Sequence, residues 1–179
     1  MSEAPAIGFR PLAIDDLELM RRWLSAPHVR EWWNDARTPE EIRAKYAPRI
    51  AGAEPVRCFA IELGGRPIGY IQTYRIRDYP EYDRHIGAPE DCAGIDLFIG
   101  EAEMVGRGIG SRAVTAFVRS IVFADAATGS CAIGPEQGNR RAIRAYEKAG
   151  FRYWKTIAVP GEPAPEYLML LTRREFESR

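Results

Sequence analysis

The stretch that most constrains this chain is Val105-Gly106-Arg107-Gly108-Ile109-Gly110-Ser111. It lies between an apolar run, Ile95-Asp96-Leu97-Phe98-Ile99, and an amphipathic run from Ile109 to about Phe123. The order reads as strand, glycine-rich turn, helix. In that helix Ile109, Ala113, Val114, Phe117, Val118, Ile121 and Val122 share one face at a helical period. A helix start leaves several backbone N–H groups without intrahelical partners, at the positive end of the helix dipole. Such a turn suits an anion, most often a phosphate, and three glycines in five residues let it approach closely. Gly108-Ile109-Gly110-Ser111-Arg112-Ala113 also fits the dinucleotide form G-x-G-x-x-A. That form calls for an acid closing a strand about twenty residues on. The candidate strand Ser130 to Ile133 instead runs into Gly134-Pro135, with no acid before Glu136. A tight strand-to-helix turn that binds nothing is the plainer alternative.

The chain has 179 residues, enough for one domain with a substantial core. Its 25 Lys and Arg balance 25 Asp and Glu, which argues against a general nucleic-acid binder. No apolar run reaches the roughly eighteen residues of a membrane span. Met1-Ser2-Glu3-Ala4-Pro5 has neither the basic start nor the apolar core of a signal peptide, so a cytoplasmic protein is expected. Cys58, Cys92 and Cys131 are scattered and odd in number, which fits a reducing compartment. With His28 and His85 as the only histidines, no metal site is expected.

Ile7 to Leu12 reads as a strand, and Asp15 with Glu18 as a capping box for a helix that Pro27 ends. Two adjacent tryptophans, Trp32 and Trp33, follow: both in the core, or one facing a ligand. Thr38-Pro39 starts a helix that ends near Gly52. Val56 to Leu63 and Arg66 to Arg75 form a hairpin about Gly64-Gly65. Residues 77 to 93 break the pattern as a long loop holding Asp78, Glu81, Asp83, Glu90 and Asp91, which suits a cationic, polyhydroxylated or amine ligand or is simply solvated surface. Further strands are expected at Ser130 to Ile133, Phe151 to Val159 and Tyr167 to Leu171, the last two joined by a turn from Pro160 to Pro165. The order implies one α/β domain over residues 1–179 with a mixed sheet.

A second signal is Asn139-Arg140-Arg141-Ala142-Ile143-Arg144-Ala145-Tyr146-Glu147-Lys148-Ala149-Gly150-Phe151. With the glycine turn it resembles the acetyl-coenzyme A motifs of the GNAT superfamily of N-acetyltransferases. The family begins its turn with Gln or Arg, where this chain has Val105. The resemblance implies a single-domain GNAT fold, a central mixed twisted sheet flanked by helices. It implies cofactor contacts at Phe98, Ile99, Val105, Gly106, Arg107, Gly108, Ile109, Gly110, Ser111, Asn139, Ala142, Tyr146 and Lys148. A closer resemblance, carried by Trp23-Leu24, Glu31-Trp32-Trp33, Pro67 to Gln72, Gly94-Ile95-Asp96 and Ala142 to Phe151, is to the aminoglycoside 6′-N-acetyltransferases. It implies acetyl transfer to an antibiotic amine, with Asp96 acting at the amine and Tyr146 as proton donor.

The residues support that chemistry. An amine must lose its proton to attack a thioester, and Asp96, a charge interrupting an apolar strand, is the best acceptor. A structural Asp paired with arginine is its alternative. Tyr146, a phenol of ordinary pKa near ten, could protonate a departing thiolate, or simply pack. Backbone N–H groups near Phe98 to Gly100 could hold the acetyl oxygen. The acceptor is expected at Trp32, Trp33, Tyr74, Asp78, Glu81, Asp83 and Asp96. No nucleic acid or membrane partner is expected, and a monomer or homodimer would serve. Two alternatives stand: a GNAT enzyme acting on a siderophore-precursor lysine, polyamine or protein amine, and a binding module without turnover.

Overall fold

Apolar runs bounded by glycine and proline become strands in the computed structural model, which describes residues 5–35, 38–158, 160 and 164–179. The strands are β1 (Ile7–Pro11), β2 (Val56–Leu63), β3 (Arg66–Arg75), β4 (Cys92–Ile99), β5 (Ser130–Ile133), β6 (Arg152–Ile157) and β7 (Glu166–Thr172). They form one sheet in the order β1-β2-β3-β4-β5-β7-β6. β4 and β5 run parallel, whereas β1 with β2, β5 with β7 and β6 with β7 are antiparallel. A parallel pair needs a crossover, here supplied by helix α5 (Ile109–Phe117). The other helices are α1 (Leu17–Ser25), α2 (Pro27–Arg30), α3 (Pro39–Ile50), α4 (Pro80–Ile86), α6 (Arg140–Ala149) and α7 (Arg173–Glu177). This is the mixed-sheet α/β architecture implied by the sequence.

Contacts group the chain into two units: one runs to Gln72 and includes Leu97–Ile109, the other is Thr73–Asp96 with Gly110–Arg179. In the first unit α1 buries Met20, Trp23 and Leu24, the face a helical period selects. Trp23 Nε1 donates to the buried carboxylate of Glu101 at 3.0 Å, which also pairs with Arg22. Thr38 and Glu41 cap α3 reciprocally, with Pro39 at its first position, as expected. The hairpin turns at Gly64 and Gly65, both at positive φ. The expected Asp15–Glu18 capping box does not form. Ile14–Asp16 is a 3₁₀ turn, and Asp16 accepts the Ala13 N–H at 2.7 Å while pairing with Arg10 at 2.9 Å. A guanidinium within reach makes Asp16 the anchored acid, and Glu18 pairs with Arg21. Pro27 opens α2 as well as following α1.

In the second unit the expected loop over residues 77–93 is mostly ordered structure. A 3₁₀ turn, Ile76–Asp78, leads into α4, and β4 already starts at Cys92. Pro80 opens α4 and Gly87, at φ 57°, closes it. A helix of seven residues is too short for its period to stand out in the sequence. α5 continues as a π turn over Val118–Val122, burying Ala113, Val114, Phe117, Val118 and Val122 while Ile121 stays half-buried. Asn139 caps α6 and Gly150, at φ 106°, ends it, as expected. α7, capped by Thr172 with Glu175, was not anticipated. Val159, the end of the expected strand Phe151 to Val159, and Gly161 to Pro163, within the expected turn, lie outside the described residues, as do Met1 to Ala4.

Candidate active site

In α/β sheets ligands gather at the carboxyl ends of parallel strands. β4 and β5 pair through Cys92↔Ser130, Ala93↔Cys131 and Gly94↔Ala132. Asp96 lies on β4 two residues beyond the last of these pairs, and β5 stops at Ile133, before Gly134-Pro135. Asp96 is half-buried. The hydroxyl of Tyr74, on β3, hydrogen-bonds to it. Burial, and then the charge of Asp96, push the Tyr74 phenol well above its ordinary value, so Tyr74 stays a neutral donor. The ring of Tyr74 fits only because residue 94 is glycine.

Tyr146 is on the inward face of α6 with Ile143 and Ala149 and is 8% exposed. Burial raises its phenol above the ordinary value near ten, and the Asp96 charge adds to the rise. This corrects the expectation of an ordinary phenol: Tyr146 holds its proton more firmly than the sequence implied. Full transfer to a thiolate of ordinary pKa would be uphill by more than about 2 kcal/mol. A phenol that holds its proton this firmly is suited to donating a hydrogen bond rather than to giving the proton up.

A further carboxylate shares this region. The Tyr82 hydroxyl lies 3.3 Å from Glu166 Oε2, and burial, Glu166 and Asp96 together raise its phenol. Neither Tyr82 nor Glu166 was singled out in the sequence. The signal was available for Glu166, an acid opening the apolar strand Glu166–Thr172, much as Asp96 interrupts β4. Of the acids expected on the acceptor side, Asp78 and Glu81 are exposed and Asp83 half-buried. α4 turns Tyr82 and Ile86 inward, toward the cluster of Ile76, Cys92, Ala132 and Leu168.

In the glycine turn Gly106 and Gly108 adopt φ 80° and 75° and are exposed. A Cβ built on Gly106, Gly108 or Gly110 meets nothing within 4 Å. Open space ahead of a helix start is what a pyrophosphate requires. Val105 and Ser111 are half-buried, Ile109 is buried, and Arg107 is exposed. Asn139 and Ala142 are partly committed already: Asn139 Oδ1 accepts the Ala142 N–H at 3.1 Å as the cap of α6. Lys148 is exposed. The Gly100 N–H donates to Ile68 O at 2.8 Å, so the expected oxyanion donors do not include it. His28 Nε2 lies 3.0 Å from Ile99 O.

Trp33, like Trp32, is half-buried. Trp33 belongs to an aromatic cluster, edge-on to Phe98 at 5.1 Å and to Tyr70 at 6.2 Å between ring centroids. Its Nε1 donates to Asp35 at 3.0 Å, and Asp35 also holds Lys45 and the Tyr46 hydroxyl, each at 2.6 Å. Trp33 is thus fixed by core partners, and Trp32 beside it is half-buried. Among the described residues no group of three or more His, Cys, Asp or Glu is placed to hold a metal, and no helix is long and apolar enough to cross a membrane.

The Acetyltransferase (GNAT) domain family matches residues 13–159. An aminoglycoside N(6′)-acetyltransferase type 1 of Klebsiella pneumoniae is 33% identical over 175 residues, covering 96% of this chain and 86% of its own. A crystal structure of the aminoglycoside acetyltransferase AAC(6′)-Ib in complex with coenzyme A and kanamycin is similar with a TM-score of 0.87 and 32% identity, over 97% of this chain and 98% of the other. A lysine N-acyltransferase of a Mycobacterium species is 27% identical over 148 residues, 82% of this chain and 60% of its own.

Proposed function

The chain belongs to the GNAT acetyltransferase family, and from that premise we propose that it transfers the acetyl group of acetyl-coenzyme A to the 6′-amine of an aminoglycoside, using residues 1–179 as one transferase domain. The observation that carries this reading is Asp96, a half-buried carboxylate past the last β4–β5 pair, bonded by Tyr74 and acting on the Tyr146 phenol. The relatives that bind coenzyme A and kanamycin support the choice of substrates.

In this reading Asp96 accepts the proton the ammonium must lose, directly or through water. The freed nitrogen attacks the thioester carbonyl carbon and the C–N bond forms; as the C–S bond breaks, the nitrogen releases its second proton to solvent. Tyr146 donates a hydrogen bond to the departing sulfur, which leaves as thiolate and takes its proton from solvent. The turn from Val105 to Ser111 holds the pyrophosphate through backbone N–H groups, with Phe98, Ile99, Asn139, Ala142 and Lys148 along the rest of the cofactor. Cys58, Cys92 and Cys131, free and buried, fit the reducing cytoplasm as the place of action.

A second reading, acetylation of a lysine-like amine, draws on the lysine N-acyltransferase similarity. Free-thiol release from acetyl-coenzyme A against a panel of amines separates the two. The proposed function requires release with kanamycin. Release with lysine or hydroxylysine and none with any 6′-amino sugar would replace it with the second reading.

A further inference from the structure

Two phenol–carboxylate pairs stand together in the second unit. One is Tyr74 with Asp96. The other is Tyr82 with Glu166. Tyr74 and Tyr82 pack against the same buried cluster of Ile76, Ile86, Cys92, Ala132 and Leu168. Glu166 is fixed at the start of β7, where its backbone pairs with Ile157 and bridges to Glu136.

The strand register brings the two acids to one level of the sheet. Gly94 pairs with Ala132, so Asp96 and Gly134 each lie two residues beyond the last described β4–β5 pair. A Cβ on Gly134 would lie 2.8 Å from Glu166 Oε2 and 3.3 Å from its carboxyl carbon. The absent side chain at 134 thus leaves the place that the Glu166 carboxylate takes. Glu166 reaches over the end of β5 at the level where Asp96 leaves the pairing on β4. Glu166 is half-buried, so part of the residue meets solvent.

Building on the proposed transfer to a sugar amine, we propose that Glu166 is a specificity-determining residue that binds a second ammonium group of the acceptor while the reacting amine sits at Asp96. Tyr82 is its positioning residue, holding the carboxylate over Gly134. The acceptor class is then a di- or polycation, and a sugar with a single amine forgoes this contact. A carboxylate–ammonium contact in a partly desolvated site strengthens binding by about tenfold or more.

The test compares wild type, Glu166→Gln, Glu166→Asp and Tyr82→Phe with kanamycin and with 6-amino-6-deoxyglucose, a single-amine acceptor. Thiol release gives KM and kcat, and calorimetry gives the kanamycin affinity without turnover. The inference expects Glu166→Gln to weaken kanamycin binding and raise its KM by about tenfold or more. It expects kcat to change little, and the single-amine KM, the acetyl-coenzyme A KM and the melting temperature to stay put. Glu166→Asp, which keeps the charge, recovers part of the affinity, and Tyr82→Phe gives a smaller loss in the same direction. Equal kanamycin affinity in wild type and Glu166→Gln, or an equal loss for the single amine, would overturn it. Wild type that binds kanamycin without acetylating it would refute the proposed function while leaving the Glu166 comparison readable, and wild type that does not bind it refutes both.

Discussion

A Cβ on Gly94 would stand 2.5 Å from Cζ of Tyr74 and 2.8 Å from its hydroxyl oxygen. The glycine of Gly94-Ile95-Asp96 therefore clears space for the phenol that hydrogen-bonds to Asp96. Gly94→Ala must move that ring. It is expected to cost about 1–3 kcal/mol of stability, as overpacking does, and to lower kcat with little change in the acetyl-coenzyme A KM. Denaturant unfolding and steady-state kinetics check both parts. A stable variant with unchanged kcat would show that the ring can shift without consequence.

Tyr146 is expected to matter for turnover more than for folding. Tyr146→Phe keeps the packed ring and removes the proposed donor to sulfur, so kcat should fall by roughly 10²-fold or more. Since burial raises its phenol, Tyr146 keeps its proton throughout the ordinary working range. The pH–rate profile of the wild type should show no loss from Tyr146 ionisation below pH about 10. A Phe variant with wild-type kcat would remove Tyr146 from the chemistry.

Alkali should unfold the protein early. Tyr46, Tyr70, Tyr74, Tyr82 and Tyr146 all have phenols raised, burial being the largest cause in each. Below about pH 10 folded and unfolded chains both hold these protons. Above it the unfolded chain releases protons that the folded chain retains, so stability falls as pH rises toward the folded values. Thermal melts between pH 9 and 11 (roughly one unit either side of the ordinary phenol value) should show a falling midpoint. A flat midpoint across that range would contradict the burial of these groups.

A substitution in the glycine turn is expected to affect binding more than folding. Gly108 sits at φ 75° with open space around its Cβ position, so Gly108→Ala meets backbone strain alone, about 1–2 kcal/mol. The same side chain projects where the pyrophosphate is proposed to lie. The variant is expected to raise the acetyl-coenzyme A KM by about tenfold while leaving the acceptor KM near wild type. An unchanged cofactor KM would place the pyrophosphate elsewhere.

What the sequence revealed followed local rules. The capped start at Thr38-Pro39, the Gly64-Gly65 hairpin, the Asn139 cap and the Gly150 stop each depend on neighbours in the chain, and all were legible. α4 was not, because seven residues between a proline and a glycine carry too little period. Asp16 replaced Asp15 at the first helix because Arg10, on a strand, decided it. Asp96 stood out as a candidate because a charge in an apolar strand is conspicuous. Tyr82, Glu166 and the roles of Gly94 and Gly134 stayed hidden, since each is defined by strand register and by side chains distant in sequence. The shift at Tyr146 was equally out of reach, because it comes from burial.

The most direct test is thiol release from acetyl-coenzyme A with kanamycin by wild type and by Asp96→Asn, which keeps the shape and removes the charge, with the acetylated position identified in the product. The account requires one acetyl group on the 6′-amine with wild type, a fall of roughly 10²-fold or more in kcat for the variant, and an unchanged acetyl-coenzyme A KM. Turnover by Asp96→Asn close to wild type, or an acetyl group on any other amine, would contradict it.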